Sequence, residues 1–138
     1  MHPQYQVVPL DAPAAGQGFT FPIGGAVEVE VLSAAFTFTA AAAVANRRPF
    51  IEFVDTFGNT FYRAAPSVTI AATFATVVSF GVGTNEYGTA SGPSMGVPIP
   101  ALRLYNGLAV IGGADAIQGA DTFTNIVLYV RQWPVRDD

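Results

Sequence analysis

The chain has 138 residues, of which 51% are hydrophobic and only 12% are charged. This length suits a single domain that buries about two thirds of its unfolded surface, and the composition is the reverse of the weakly hydrophobic, highly charged composition of disordered chains. The net charge of −4 argues against nucleic-acid binding, which needs a basic surface.

The first 26 residues predict an extended N-terminal arm. They are rich in Pro, Gly and Gln, and only YQVVPL at 5–10 reads as a short strand. The arm lacks the basic and apolar segments of a secretion signal. Its apolar side chains, which include Tyr5, Phe19 and Phe21, lack the alternation that would bury them in the chain's own core. We therefore expect the arm to dock on a partner.

Residues 27–39 predict strand structure with one irregularity. VEVEVL at 27–32 alternates strictly and places its valines inward and its glutamates outward. AFTFT at 35–39 also alternates, but Phe36 and Phe38 have the opposite parity. A bulge or bend near residues 33–35 would return both sets of apolar side chains to one face.

Two glycine-containing turns predict β-hairpins. PFIEFVD and TFYRAA flank Thr56-Phe57-Gly58-Asn59, and ALRLY and LAVIGG flank Asn106-Gly107. With further strands at 67–80 and 122–133, the pattern predicts an all-β fold. We expect an antiparallel β-sandwich of jelly-roll type with about eight strands, and less than about 10% helix.

The predicted sandwich spans residues 27–135 and is followed by a short tail at 136–138. Within it, residues 81–100 read as a long loop rich in Gly and Pro. Loops of this length are uncommon in compact domains unless they are functional or disordered. Tyr87, Met95 and Ile99 supply apolar anchors, which favour a binding loop.

The residue inventory argues against enzyme activity. The only histidine is His2, and the chain has neither cysteine nor lysine. Histidine-based triads, thiolate nucleophiles, Schiff bases and phosphate-loop chemistry are thereby excluded. We expect no catalysis and no cofactor.

The carboxylates offer only weak candidates for chemistry. Glu28 and Glu30 lie about 7 Å apart along one strand, a separation that would suit a glycosidase, but a solvent-facing alternation explains both. Asp115 and Asp121 flank a tight turn, yet a calcium cage needs more acidic ligands. No metal site is expected.

Two arginines and the tryptophan remain as candidate contacts. Arg47 and Arg48 lie just before a predicted strand, where one of them can pair with Glu52 or Asp55; a contact with a partner is the alternative. Trp133 ends the last strand and either covers one end of the core or anchors a neighbour.

Three stretches resemble a known family. They are VLSAAFTFTAAAAVANRRPFIEFVD, PIPALRLYNGLAVIGG and DTFTNIVLYVRQWPV. Over roughly residues 27–135 they resemble the jelly-roll cement, or decoration, proteins of tailed-bacteriophage capsids. The shared motifs are architectural: an Ala/Thr-rich crossing into VANR, a hairpin, a proline-flanked hairpin and a closing NIxLxVxxW strand. They carry no functional residue across.

The resemblance implies a virion structural protein, made in the host cytoplasm, that binds the outer surface of an icosahedral capsid. Its partners would be the major capsid protein and sister copies, without nucleic acid or membrane. A tail, fibre or receptor-binding component is one alternative. A small carbohydrate- or ligand-binding module, with a site at Asn85, Glu86 and Tyr87, is another. The candidate partner contacts are Tyr5, Phe19, Phe21, Arg47, Arg48, Tyr87, Met95, Ile99 and Trp133.

Overall fold

The computed structural model describes residues 2–25 and 27–134 of the chain. This part of the chain contains no helix and forms eleven strands. They are β1 (Gln4–Leu10), β2 (Phe19–Pro22), β3 (Val27–Thr39), β4 (Arg48–Val54), β5 (Thr60–Ala64), β6 (Ala75–Val82), β7 (Tyr87–Gly88), β8 (Ser94–Ile99), β9 (Arg103–Leu104), β10 (Ala109–Asp115) and β11 (Thr122–Pro134). The predicted tail at 136–138 lies outside the described residues.

The strands form two sheets that pack face to face, so the predicted β-sandwich is confirmed. The larger sheet has the order β1-β11-β3-β6-β8-β7, and β9 pairs with one end of β3. The smaller sheet has the order β2-β10-β4-β5. All these pairs are antiparallel except β6 and β8, which run parallel. The prediction of about eight strands is too low, because it omitted strands inside the segments expected to be an arm and a loop.

One hydrophobic core fills the space between the sheets. Phe123 on β11 is fully buried, and its ring centroid lies 5.0 Å from that of Phe38, 5.1 Å from that of Phe36 and 5.7 Å from that of Phe19. Phe19 comes from the smaller sheet, so the aromatic cluster ties the two layers together. Edge-to-face pairs of this kind stabilise a core beyond their buried area.

The predicted irregularity in the first long strand is confirmed. Val31 pairs with Val130 and Ser33 pairs with Tyr129, which leaves Leu32 as an extra residue on β3. The bulge reverses the parity of the strand. Apolar side chains on both sides of it therefore reach the same core, including Val29 before the bulge and Phe36 after it.

Residues 2–25 do not extend away from the domain as an arm, and this prediction needs correction. β1 pairs with β11 along its whole length, and β2 pairs with β10. Phe19 is only 5% exposed and Phe21 packs against the core. The predicted docking of Phe19 on a partner fails, because the two sheets bury it within the domain, and Phe21 is partly buried against the same core.

The predicted loop at 81–100 is also corrected. Its second half is β8, which pairs with β6 and directs Met95, Val97 and Ile99 into the core. Met95 is completely buried and Ile99 is 5% exposed, so neither is available to a partner. Gly96 and Pro98 occupy the alternate positions, which disguised the strand as a loop in the sequence.

The Asn106-Gly107 turn is present, but the predicted hairpin around it is wrong. The Leu108 N–H donates to the Tyr105 carbonyl at 3.0 Å, and Gly107 has a φ of 94°, which favours glycine. β9 pairs with β3 in the larger sheet, whereas β10 pairs with β2 and β4 in the smaller one. The turn therefore carries the chain from one sheet to the other.

Candidate functional site

The carboxylates that the sequence singled out are held in ion pairs. Glu28 lies 3.4 Å from Arg103, and Glu30 lies 3.0 Å from Arg131. Asp115 lies 2.6 Å from Arg63. Within the described ranges, no group of three or more His, Cys, Asp or Glu side chains is placed to hold a metal ion.

Arg47 and Asp121 form a fully buried ion pair at one end of the sandwich. The Nε and Nη2 of Arg47 donate to the two carboxylate oxygens of Asp121 at 2.9 and 3.0 Å, and both side chains are 0% exposed. The backbone N–H groups of Ala41 and Gln118 donate to the same carboxylate, each at 2.7 Å. Bidentate, charge-assisted bonding of this kind is the strongest form of arginine–carboxylate contact.

This ion pair bears on the expectations for Arg47. Its partner is Asp121, so Glu52 and Asp55 are left to Arg48 alone, and the burial of Arg47 removes it from any contact surface. Asp121 is bound by donors within the protein. Burial on its own would raise the pKa of the Asp121 carboxyl, but the hydrogen bonds from Arg47, Ala41 and Gln118 outweigh burial and lower it.

Arg48 is half-buried at the start of β4, opposite Asp115 of β10. Its Nε is buried and has no hydrogen-bond partner in the part of the chain that the structure describes. Unlike Arg47, it keeps part of its surface accessible, so the expectation that it contacts a partner stays a prediction.

The outer face of the larger sheet carries few charges across its middle strands. Consecutive register partners form rows that cross it, such as Pro9, Val127, Ala35, Ser79 and Gly96. We call this surface the uncharged face, and define it as Val7, Pro9, Ser33, Ala35, Thr37, Val77, Ser79, Tyr87, Gly96, Pro98, Val127 and Tyr129.

Large apolar side chains on the uncharged face are open to solvent. Val7 is 60% exposed and Val77 is 43% exposed, and Val127 and Tyr129 are also exposed. A sheet with one solvated face normally alternates apolar residues inward with polar residues outward. On the uncharged face the outward side chains are apolar, small or hydroxyl-bearing, which is typical of a surface that docks on a partner.

Tyr87 covers Gly96 on this face. A Cβ atom at Gly96 would overlap the ring of Tyr87, so the ring lies directly over the glycine backbone. Gly96 is buried as a result, whereas Tyr87 remains 52% exposed. The close approach explains why the outward position of β8 at this point is glycine.

We expect Gly96→Ala to lower the free energy of unfolding by about 1 kcal/mol, because the half-exposed ring of Tyr87 must move off the glycine. The same change in a Tyr87→Ala background should cost much less, because the ring that the new methyl group meets is gone. Urea denaturation of the four proteins measures the coupling. Equal costs in the two backgrounds would contradict the contact.

A cluster of charged and aromatic side chains borders the uncharged face at one end. Trp133 lies between two arginines, with the guanidinium carbons of Arg103 and Arg131 at 3.8 and 5.1 Å from its ring. Glu30 accepts hydrogen bonds from Arg131 at 3.0–3.3 Å and raises the pKa of its guanidinium. Trp133 therefore lies on the outer face and does not cover an end of the core. Its parity requires this, since Val130, three residues earlier, points inward.

Of the contacts predicted from the sequence, the structure brings Tyr5, Tyr87 and Trp133 to the outer surface of one sheet. Sequence reasoning missed Val77, Val127 and Tyr129 on that surface. In β11 the apolar residues of the inward parity are interleaved with apolar residues of the outward parity. The outward set indicates an apolar outer face, but the prediction used only the inward set.

Comparisons with known proteins add no relative to this description. No family model matches the chain, and no curated protein or solved structure is significantly similar to it. In residues 2–25 and 27–134 there is no helix long and apolar enough to cross a membrane.

Proposed function

We propose that the chain is a virion structural protein that binds the outside of an icosahedral phage capsid and cements the shell. The observation that carries the proposal is the uncharged face, where exposed apolar side chains lie among small and hydroxyl side chains on an ordered sheet. The resemblance of residues 27–135 to cement proteins supports the same assignment. It names the major capsid protein as the partner.

The construction of this face suits attachment in many copies. Its Val, Ser, Thr and Ala side chains have few rotamers to lose, so docking costs little side-chain entropy. A sheet surface is also ordered before binding. Modest affinity for each contact is sufficient when one copy touches several capsid subunits or sister copies, and we infer that the chain is a homo-oligomer on the particle.

A carbohydrate-binding module receives less support from the geometry. Glu86, in the cluster that would suit a sugar, accepts a hydrogen bond from the Ser67 N–H at 2.7 Å, and this bond lowers the pKa of its carboxyl. The Tyr87 ring lies on Gly96. Both side chains already have partners within the domain, which leaves the tail or fibre component as the stronger alternative.

Locating the chain in purified particles tests the proposal. Cementing predicts the chain in virions at a copy number that follows the capsid symmetry, measured by quantitative mass spectrometry. It also predicts density on the outer surface of the shell by cryo-electron microscopy. Density on the tail, or absence of the chain from virions, would overturn the capsid assignment.

A charge placed on the uncharged face should weaken attachment to particles. We expect Val127→Glu and Val77→Glu each to reduce affinity at least about tenfold, because an unpaired charge buried at an interface costs several kcal/mol and 1.4 kcal/mol is a factor of ten. Binding of the purified chain to particles that lack it is measured by co-sedimentation.

Thr20→Glu is the matched control, since Thr20 is exposed on the outer face of the smaller sheet. It should bind as the parent does. Parent binding should also change little with salt, because screening acts mainly on exposed charges. If Thr20→Glu weakens binding as much as Val127→Glu does, the contact lies elsewhere on the domain.

A further inference from the structure

An apolar projection marks the end of the sandwich that carries Arg47. We call residues Ala42, Ala43 and Val44 the apolar knob. Val44 is 96% exposed, and both alanines are exposed as well. No charged side chain occurs between residues 40 and 46. Val44 therefore makes almost no contact within its own domain, and its side chain is available to a partner.

The knob is held at both of its ends. The Ala41 N–H donates to the buried carboxylate of Asp121 at 2.7 Å, and the Ala41 carbonyl accepts from the Thr73 N–H at 3.1 Å. On the other side, Nη1 of Arg47 donates to the Ala45 carbonyl at 2.8 Å. The buried ion pair thus fixes the backbone on either side of Val44. A projection that is ordered before binding loses less entropy when it docks.

The opposite end of the sandwich carries an open pocket of about 340 Å³. Its wall is largely apolar, formed by Phe61, Leu102, Leu104, Tyr105 and Leu108, with Asp55 and Arg103 also lining it. Phe61 and Tyr105 are 48% and 57% exposed. Beside them, Phe57 projects from the turn between β4 and β5 with 87% of its surface exposed.

β4 fixes the relative positions of knob and pocket. It begins at Arg48, next to the knob, and ends at Val54, next to Asp55 of the pocket. A seven-residue strand is about 23 Å long. The two features therefore face in opposite directions along the same molecule, and one copy cannot dock its own knob in its own pocket.

We propose that the pocket receives the apolar knob of a second copy of this chain, in a head-to-tail contact. The knob and the pocket belong to the same sequence. The knob is uncharged, so docking it places no unpaired charge against the apolar wall of the pocket. A heterologous contact of this kind repeats from copy to copy and closes into a ring or continues as a row. The proposal does not depend on the capsid assignment.

The contact area is small, so we expect weak association in dilute solution and stronger association where copies are held close together. Cross-linking detects such contacts, and the chain contains no native cysteine. Ala43→Cys places a thiol on the knob beside Val44. Thr56→Cys places one between Asp55 and Phe57 at the pocket. Neither change removes Val44 or a side chain that lines the pocket.

The two single-cysteine variants are mixed under mild oxidation, without particles. We expect the mixed disulfide dimer to form at least about tenfold faster than in a mixture of Ala43→Cys and Thr20→Cys, where Thr20 is an exposed control position. Adding Val44→Asp to the Ala43→Cys chain should remove this advantage. Urea denaturation confirms that each variant is folded.

Equal rates in the knob–pocket and control mixtures would overturn the proposal, as would an advantage that survives Val44→Asp. A Thr56→Cys thiol that cross-links to a capsid subunit on particles, with no advantage in solution, would assign the pocket to that other occupant and also reject the head-to-tail contact. Because the solution test uses no particles, its outcome is independent of whether the chain binds a capsid.

Discussion

Replacing Asp121 by alanine is expected to lower the free energy of unfolding by about 3–5 kcal/mol, the cost of leaving one member of a buried ion pair without its partner. In the variant Arg47 would remain buried and would face a cavity in place of the Asp121 carboxylate. The backbone N–H groups of Ala41 and Gln118 would lose their acceptor too. Chemical denaturation measures the change in the free energy of unfolding. A loss of this size approaches half the free energy of unfolding of a typical domain.

Two variants make this result specific. Asp115→Ala removes an exposed ion pair with Arg63, so it should cost no more than about 1 kcal/mol. Replacing Arg47 and Asp121 together by Met and Leu should cost clearly less than the two single changes added, because neither charge is then left alone. An Asp121→Ala variant as stable as the Asp115→Ala control would contradict the stabilising role of the Arg47–Asp121 ion pair.

The same pair makes stability fall in acid. Because the folded pKa of Asp121 lies below its unfolded value, its contribution is complete above about pH 4 and is lost as the pH falls through the folded pKa. The stability difference between the parent and Asp121→Ala should therefore shrink below about pH 4. Denaturation curves at several pH values measure this difference.

Removing residues 2–11 is expected to destabilise the domain by an amount on the order of 3 kcal/mol, since Val8 and Leu10 pack against the core and a fully buried side chain of this kind contributes about 1.5–3 kcal/mol. The deletion also takes away the strand that pairs with β11 at all seven of its positions. It would convert β11, now internal, into the edge of the sheet.

The control for this deletion is the double change Tyr5→Ser and Val7→Ser. Both side chains lie on β1 but point outward and are more than half exposed, so the double change should cost only about 1 kcal/mol, mainly from the lost stacking of Tyr5 on Tyr129. It should instead weaken particle attachment if the uncharged face is the contact. A truncated domain as stable as the parent would mean that β1 behaves as the free arm suggested by its composition.

The local features of the fold were predictable from the sequence. The reversal of parity between Val31 and Phe36 predicted a bulge or bend near residues 33–35, since both sets of side chains must reach one core, and the bulge in β3 lies within one residue of that range. The turn at 56–59 likewise identified the β4–β5 hairpin, since the strands on either side of it are adjacent in the chain.

The features that escaped prediction depend on distant residues. Nothing within β1 indicates that it pairs with β11, and the Gly and Pro residues of β8 hide a strand that is stabilised by its parallel neighbour β6. The sequence suggests that one of Arg47 and Arg48 pairs with a carboxylate close to it in the chain, whereas Asp121, the partner of Arg47, is 74 residues away. Single-sequence patterns report local periodicity, and these contacts are not local.

The candidate surface shows the same division. The sequence singles out Tyr5 and Tyr87 because they lie in segments without regular alternation, and Trp133 because it ends the last strand. The uncharged face as a continuous surface was not recognised, since it depends on the order in which β1, β11, β3, β6 and β8 lie side by side. Its defining property is the absence of charge at register partners from five strands.

The central position of β3 has a consequence for synthesis of the protein. β3 lies between β11 and β6, so one of its two neighbours is the last described strand to leave the ribosome. At usual elongation rates the whole chain takes roughly 7 to 28 seconds to make, while sheets with distant pairing fold in milliseconds to seconds once complete. Until β11 is made, the edge of β3 that faces it has no partner, and residues 31–39 of that strand contain no charged side chain. An uncharged strand edge exposed in this way favours aggregation of the nascent chain.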